Sequence, residues 1–469
     1  MEIIHIAAEC YPYAKAGGLG DVVGALPKYQ QQLGHIAKVI LPMYRTPYLY
    51  NHTWDTVHQG YINIGAWRTA YTVIKESSGE LGFDLYCVDI NGLLDREKIY
   101  GYTDDTERFI GFQIAAVDWL SQWQHKPNVV HVHDHHAGLV PFLMQHCYQY
   151  KHLSNIKTIL TIHNAQYQGA MPWSKVNLLP SWDSWAWGKL DWNNAINPLA
   201  SAVKCAHKVN TVSPSYMQEI RYNANGLEKL FEYEQGKCSG IINGIDTKVW
   251  NTANDSYLQH HYTSATVVAG KAANKALLCT QFNLQQHAPL CIFIGRLVGE
   301  KAADILPQTI RKAMEVYDGK INFLILGSGD PAIEQELTQL TQYYTGYYNS
   351  RIAYNEALSH TMYAGADYIL MPSRVEPCGL NQLYALRYGT IPLVRNTGGL
   401  KDTVIDVGDG GYGFTFNEAT VSDVIHTLGR AAELYYYNKP ELERIQQYIM
   451  QLNYSWEHSA ALYINLYKS

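Results

Sequence analysis

The sequence predicts an α/β protein made of two doubly wound parallel sheets, each with helices on both faces. Three observations carry this expectation. At 469 residues the chain exceeds what one hydrophobic core usually serves. Short continuous apolar runs alternate with helical patterns throughout, and such runs read as strands covered on both sides. A polar, turn-rich, aperiodic stretch, NGIDTKVWNTANDSYLQHHYTS at 243–264, divides the runs into two series.

The first series comprises IIHIAA (3–8), AKVILP (37–42), FDLYCVD (83–89), NVVHVH (128–133), KTILTIH (157–163) and KVNTVS (208–213). The second comprises LCIFIGR (290–296), INFLILG (321–327), DYILMP (367–372) and TIPLVR (390–395). The domains are therefore expected at 1–248 and 249–454, with a closing helical segment at 455–469. In such sheets ligands bind beyond the carboxyl ends of the strands, so the loops just after each run hold the functional information.

Composition narrows the partners. A net charge of −6 argues against a broad nucleic-acid or anionic-membrane surface, so an anionic ligand must meet a local basic pocket. The 37 Tyr and 11 Trp against 10 Phe fit either rings that stack on sugars or a Tyr-rich core. None of the eight cysteines forms a C-x-x-C pair, as expected of buried free thiols in a reducing compartment. The opening MEIIHIAAEC reads as a strand rather than a signal peptide, and no run of about 18 apolar residues appears. A cytoplasmic location is the expectation.

Five loops stand out. YAKAGGLGDVVGALPKY (13–29) sets Lys15 before Gly17 and Gly18 at a predicted helix start, an arrangement that suits a phosphate or a plain solvated loop. It is no P-loop, because no G-K in the chain precedes Ser or Thr. FIGRLVGEKAAD (293–304) places Arg296 and Lys301 beyond a strand, as a diphosphate clamp or a surface pair. SRVEPCGLNQLYALRYG (373–389) offers the carboxylate of Glu376, Cys378 beside it, and the amides of Gly379, Leu380 and Asn381 at a helix start. TIHNAQYQG (161–169) leaves His163 and Asn164 at a strand end. HVHDHHAGLV (131–140) invites a metal on His131 and His133, which share a strand face. Its carboxylate, Asp134, lies on the opposite face, a second ligand set is missing, and no D-x-D occurs, so no metal or other cofactor is expected.

With these residues in place, the sequence resembles the bacterial glycogen synthase and plant starch synthase family almost end to end. The matching blocks run from AECYPYAKAGGLGDVVGALP through HVHDHHAGL, TIHNAQYQG, INGIDTKVW, GRLVGEKAAD and PSRVEPCGLNQLYALRYGTIPLVRNTGGLKDTV to YSWEHSAALYINLY. The resemblance implies two Rossmann-like domains in the GT-B arrangement with the active site in the cleft between them. It implies transfer of glucose, with retention, from ADP-glucose or UDP-glucose to the non-reducing 4-hydroxyl of glycogen or another α-1,4-glucan. By the same resemblance Lys15 contacts the sugar nucleotide, Arg296 and Lys301 bind its phosphates, Glu376 binds the donor glucose, and His163 lies at the reacting centre. Asp134, Asn164 and Asn243 look like glucose or acceptor contacts, and Tyr354 like a base-stacking residue. The closing helix is implied to cross back onto the first domain.

The chain departs from the family pattern at Ala302 and Ala303, which replace a glycine-containing continuation after Lys301. Leu94, Ala353 and Asn355 stand where Tyr, Gly and His are frequent, and Tyr384 occupies the place of a second glutamate in related retaining families. SWDSWAWGKLDW (181–192) carries four tryptophans suited to stacking on glucan or to packing. Rival readings are a metal-dependent hydrolase on His131 and His133, a non-catalytic glucan-binding protein, and a different nucleotide-sugar glycosyltransferase. Donor base and oligomeric state are left open at this level.

Overall fold

The computed structural model describes residues 1–469, which divide into two compact units: Met1–Ile241 with Trp456–Ser469, and Ile242–Ser455. The first unit holds β1 (Glu2–Ile6), β2 (Ile36–Pro42), β3 (Trp54–Ile64), β4 (Trp67–Glu76), β5 (Asp84–Asp89), β6 (Val129–His133) and β7 (Lys157–Ile162). It continues with a miniature hairpin, β8 (Asp191–Trp192) and β9 (Ala195–Ile196), then β10 (Lys208–Thr211) and β11 (Cys238–Gly240). The main sheet runs β11-β10-β7-β6-β1-β2-β5-β4-β3 and is parallel except at β4 and β3, an antiparallel hairpin on one edge. Ile3, Ile4 and Ile6 of β1 are fully buried, as a central strand with both faces covered requires.

The second unit holds β12 (Leu290–Ile294), β13 (Asn322–Gly327), β14 (Tyr348–Ile352), β15 (Tyr368–Met371), β16 (Ile391–Arg395) and β17 (Phe414–Phe416). These form an all-parallel sheet in the order β14-β13-β12-β15-β16-β17. All ten apolar runs are strands. The division falls at 241/242 rather than at the expected 248. The amide of Ile245 donates to the carbonyl of Tyr454 at 2.8 Å, which ties the intervening residues into the second unit.

The closing helix, Trp456–Lys468, groups with the first unit. Trp456, Ala460, Tyr463, Ile464 and Tyr467 pack with Val22, Leu26 and Tyr29 of helix Gly18–Gln32 and with Ile3, Val129 and Ile159 of the sheet. All eight cysteines are free thiols, seven of them buried. No helix is long and apolar enough to cross a membrane.

Candidate active site

In the first unit the loop after β1 is organised by a residue not singled out from the sequence, Glu9. Its buried carboxylate accepts from the amides of Ala16 (2.7 Å) and Gly17 (2.8 Å) and from the Tyr100 hydroxyl (2.7 Å). Three donors make such a burial tolerable. The helix does start at Gly18, and the Gly17 amide is held by Glu9. Lys15 pairs with Asp21 at 2.7 Å, one turn into that helix.

β6 and β7 end side by side, and their ends bring Asp134 and His163 together. Asp134 takes a left-handed backbone (φ 52°), and its Oδ1 accepts from the amide of His163 at 2.7 Å. Burial pushes its carboxyl up to about 7, against the pull of the His163 and Asn164 amides. Burial also lowers His163 to about 3, so its ring is neutral. Asn164 accepts from the Gln166 amide at 3.0 Å and so shapes the loop that follows.

A stability consequence follows for Asp134. A carboxyl whose folded pKa lies above its unfolded value favours the native state at low pH, and that contribution is lost as pH rises toward about 7. Asp134→Asn removes the titration. Between pH 5 and 8 the variant should gain about 3 kcal/mol relative to the parent in urea unfolding. A pH-independent difference between the two would contradict the assignment.

In the second unit Glu376 is 6% exposed and is the centre of a cluster. Lys301 Nζ lies 2.7 and 2.6 Å from its two oxygens, and Ser373 Oγ donates to one of them at 2.8 Å. Arg296, beyond the end of β12, faces Glu300 at 3.2 Å with its side chain largely exposed. Each expected phosphate-binding cation therefore has a carboxylate of its own within its unit. Gly379 turns with φ 76°. A Cβ on Gly399 would lie 2.1 Å from the carbonyl oxygen of Cys378, so the glycine lets the loop after β16 press against the Glu376–Cys378 backbone.

The other expected contacts lie in the second unit. Asn243 belongs to the second unit rather than the first, and its buried Oδ1 has no hydrogen-bond partner. Asn381 donates its side chain to the carbonyl of Ile294 at 2.6 Å, pinning the Glu376 loop to the end of β12. Leu380 precedes a helix of only seven residues, Asn381–Arg387. Burial raises the Cys378 thiol to about 12, which leaves it protonated. Tyr354 is 80% exposed just beyond β14.

His5, His131 and His133 bring ring nitrogens within 4.8 Å of one another, enlarging the H-x-H pair by a residue from β1. Every ring nitrogen of the three is engaged with a protein partner: Gln30, Tyr467, Thr161, His163 or another member of the trio. A metal here would have to break those bonds.

Residues 2–233 match the starch synthase catalytic domain model, and residues 288–433 match glycosyl transferases group 1. The chain is 50% identical over 467 residues to the glycogen synthase of Flavobacterium johnsoniae, covering 100% of this chain and 98% of that one. The chain belongs to the glycogen and starch synthase family of glycosyltransferases. The glycogen synthase of Streptococcus gordonii is 37% identical, with both chains covered in full. Among solved structures, the catalytic domain of starch synthase IV from Arabidopsis thaliana, bound to ADP and acarbose, superposes with a TM-score of 0.87. It is 32% identical and covers 99% of this chain and 98% of that one. Sucrose-phosphate synthase from Thermosynechococcus elongatus, at 16% identity and a TM-score of 0.63, shares the fold. The two-domain GT-B class is thus the fold of this glycogen and starch synthase family member.

Four of the positions at which it departs from the family pattern have defined local surroundings. Ala302 adopts the left-handed turn a glycine would supply (φ 51°, ψ 35°) with its methyl buried. Asn355 caps helix Glu356–Gly365 by accepting from the Leu358 amide. Leu94 is core. Tyr384 stacks on Trp250 at 3.8 Å. Of the four tryptophans, Trp182 packs on Phe142 and Trp187 is exposed, whereas Trp185, also exposed, lines with Trp192 a hollow of about 650 Å³.

Proposed function

We propose that this family member transfers glucose from ADP-glucose to the non-reducing 4-hydroxyl of an α-1,4-glucan, with retention and without a metal ion. The observation that carries the reading is the Lys301–Glu376–Ser373 cluster, a buried carboxylate held by a cation beyond the end of β12. Arg296 and Lys301 take the donor diphosphate, with Lys15 assigned to the same sugar nucleotide by family resemblance. Glu376 binds glucose hydroxyls. Preorganised cations stabilise the charge that develops as the C1–O bond to the diphosphate breaks. The neutral ring and carbonyl of His163 steady the oxocarbenium-like sugar. The acceptor O4 then bonds to C1 on the face the diphosphate leaves, and its proton passes to a phosphate oxygen of the leaving group. Adenine is favoured over uracil as the donor base because the starch synthase IV structure holds ADP. The test is transfer to glycogen by the purified chain, with ADP-glucose and UDP-glucose side by side, with and without chelator. Faster transfer from ADP-glucose, indifferent to chelator, is expected. No glucosyl transfer, or activity lost to chelator and restored by a divalent ion, would overturn the reading.

A further inference from the structure

Behind His163 the first unit encloses a continuous hydrogen-bond chain whose other members no step above uses. Gln30 Nε2 donates to the Tyr467 hydroxyl at 2.8 Å, and Gln30 Oε1 faces His5 Nε2 at 2.8 Å. His5 Nδ1 lies 3.0 Å from His133 Nε2, and His133 Nδ1 lies 3.0 Å from His163 Nε2. The Tyr467 hydroxyl also meets His131 Nδ1 at 2.8 Å, and His131 Nε2 meets Thr161 Oγ1 at 2.7 Å. The chain thus runs from the closing helix, through helix Gly18–Gln32 and the ends of β1 and β6, to the loop after β7.

Burial lowers the pKa of His5, His131, His133 and His163 alike, so all four rings are neutral. The only carboxylate bonded to His163 is Asp134, which takes its backbone amide rather than its ring. A neutral imidazole has one N–H and one bare nitrogen. Each link therefore fixes the next. Because Gln30 presents its oxygen, His5 must carry its proton on Nε2 and accept at Nδ1. His133 then donates from Nε2 and accepts at Nδ1. His163 donates from Nε2, and its Nδ1 is left bare. Turning the Gln30 amide would reverse every proton in the series, so the polarity is all or none.

We propose that Gln30, His5 and His133 are positioning residues that hold His163 as the Nε2–H tautomer, so that it offers substrate a hydrogen-bond acceptor at Nδ1. The catalytic consequence rests on the proposed place of His163 at the reacting centre; the tautomer does not. A bare Nδ1 accepts from a sugar hydroxyl and cannot donate to one.

The experiment labels the full chain with nitrogen-15 histidine and reads long-range proton–nitrogen correlations, with His163→Gln assigning the signal. The native protein is expected to show His163 protonated on Nε2 alone. His5→Phe should let the Nδ1-protonated form appear and lower kcat at least tenfold, with KM for the donor within about threefold. Gln30→Leu carries the same expectation, so a His5→Phe chain that fails to fold leaves a second test. Nδ1 protonation of His163 in the native protein would overturn the proposal. So would an unchanged His163 signal in the broken variants, or stoichiometric zinc on His5, His131 and His133. A native chain with the expected signal but no transferase activity would instead sink the proposed function.

Discussion

Lys301→Ala is expected to lower kcat by a hundredfold or more. Losing one preorganised donor to a developing oxyanion typically costs about 2.7–4 kcal/mol in the barrier, and Lys301 is the cation nearest the buried Glu376. The structure adds a second effect. Without Lys301 the Glu376 carboxylate keeps only Ser373 as a hydrogen-bond partner, and breaking a buried pair is more costly than replacing both members. The single variant should therefore melt several degrees lower. The double variant Lys301→Ala/Glu376→Gln should regain most of that loss while staying inactive. Steady-state kinetics beside thermal melts separate the two effects. A single variant with near-native turnover removes Lys301 from the diphosphate site.

A chain ending at Ser455 is expected to lose the cooperative fold of its first unit. The missing helix buries Trp456, Ala460, Tyr463, Ile464 and Tyr467 against that unit. At ~1.5–3 kcal/mol for each large apolar side chain, the loss is about 6–12 kcal/mol, comparable to the whole stability of a typical domain. Polar partners are lost as well. Asn210 loses the Tyr463 hydroxyl, and Lys157 loses the carbonyl of Tyr467. Solubility, dye binding and near-ultraviolet circular dichroism report the outcome. A soluble truncated chain with native near-ultraviolet signal and a sharp melt would show that the helix is dispensable.

Legibility from sequence follows the physics of each element. The ten apolar runs were readable because strands covered on both faces must be apolar at successive positions. The hairpin β3–β4 was not, since WDTVHQGYINI lies on a sheet edge with most of its side chains partly or fully exposed. β14 and β17 were missed for being short edge strands. At the site, Lys15, Arg296, Lys301 and Glu376 announce themselves as charges in loops after strands. Their partners are another matter. That Lys301 binds Glu376, 75 residues away, is set by the adjacency of β12 and β15, which no local pattern encodes. Glu9 follows an apolar strand with no helical or turn signal, and only the close approach of Ala16, Gly17 and Tyr100 gives it a role. His5 sits opposite His131 in the β1–β6 register, so the histidine chain depends on a three-strand alignment that H-x-H shows only in part.

The return of the final helix has a kinetic meaning. The second unit is, in effect, an insertion within the first, with both chain ends on the host. During synthesis at ~5–20 residues per second, the host waits some tens of seconds for the piece that seals it. Its apolar face is bare to the cell throughout that interval. Ribosome-bound holding factors should therefore engage this half of the nascent protein, while the inserted half can mature on its own as soon as it emerges.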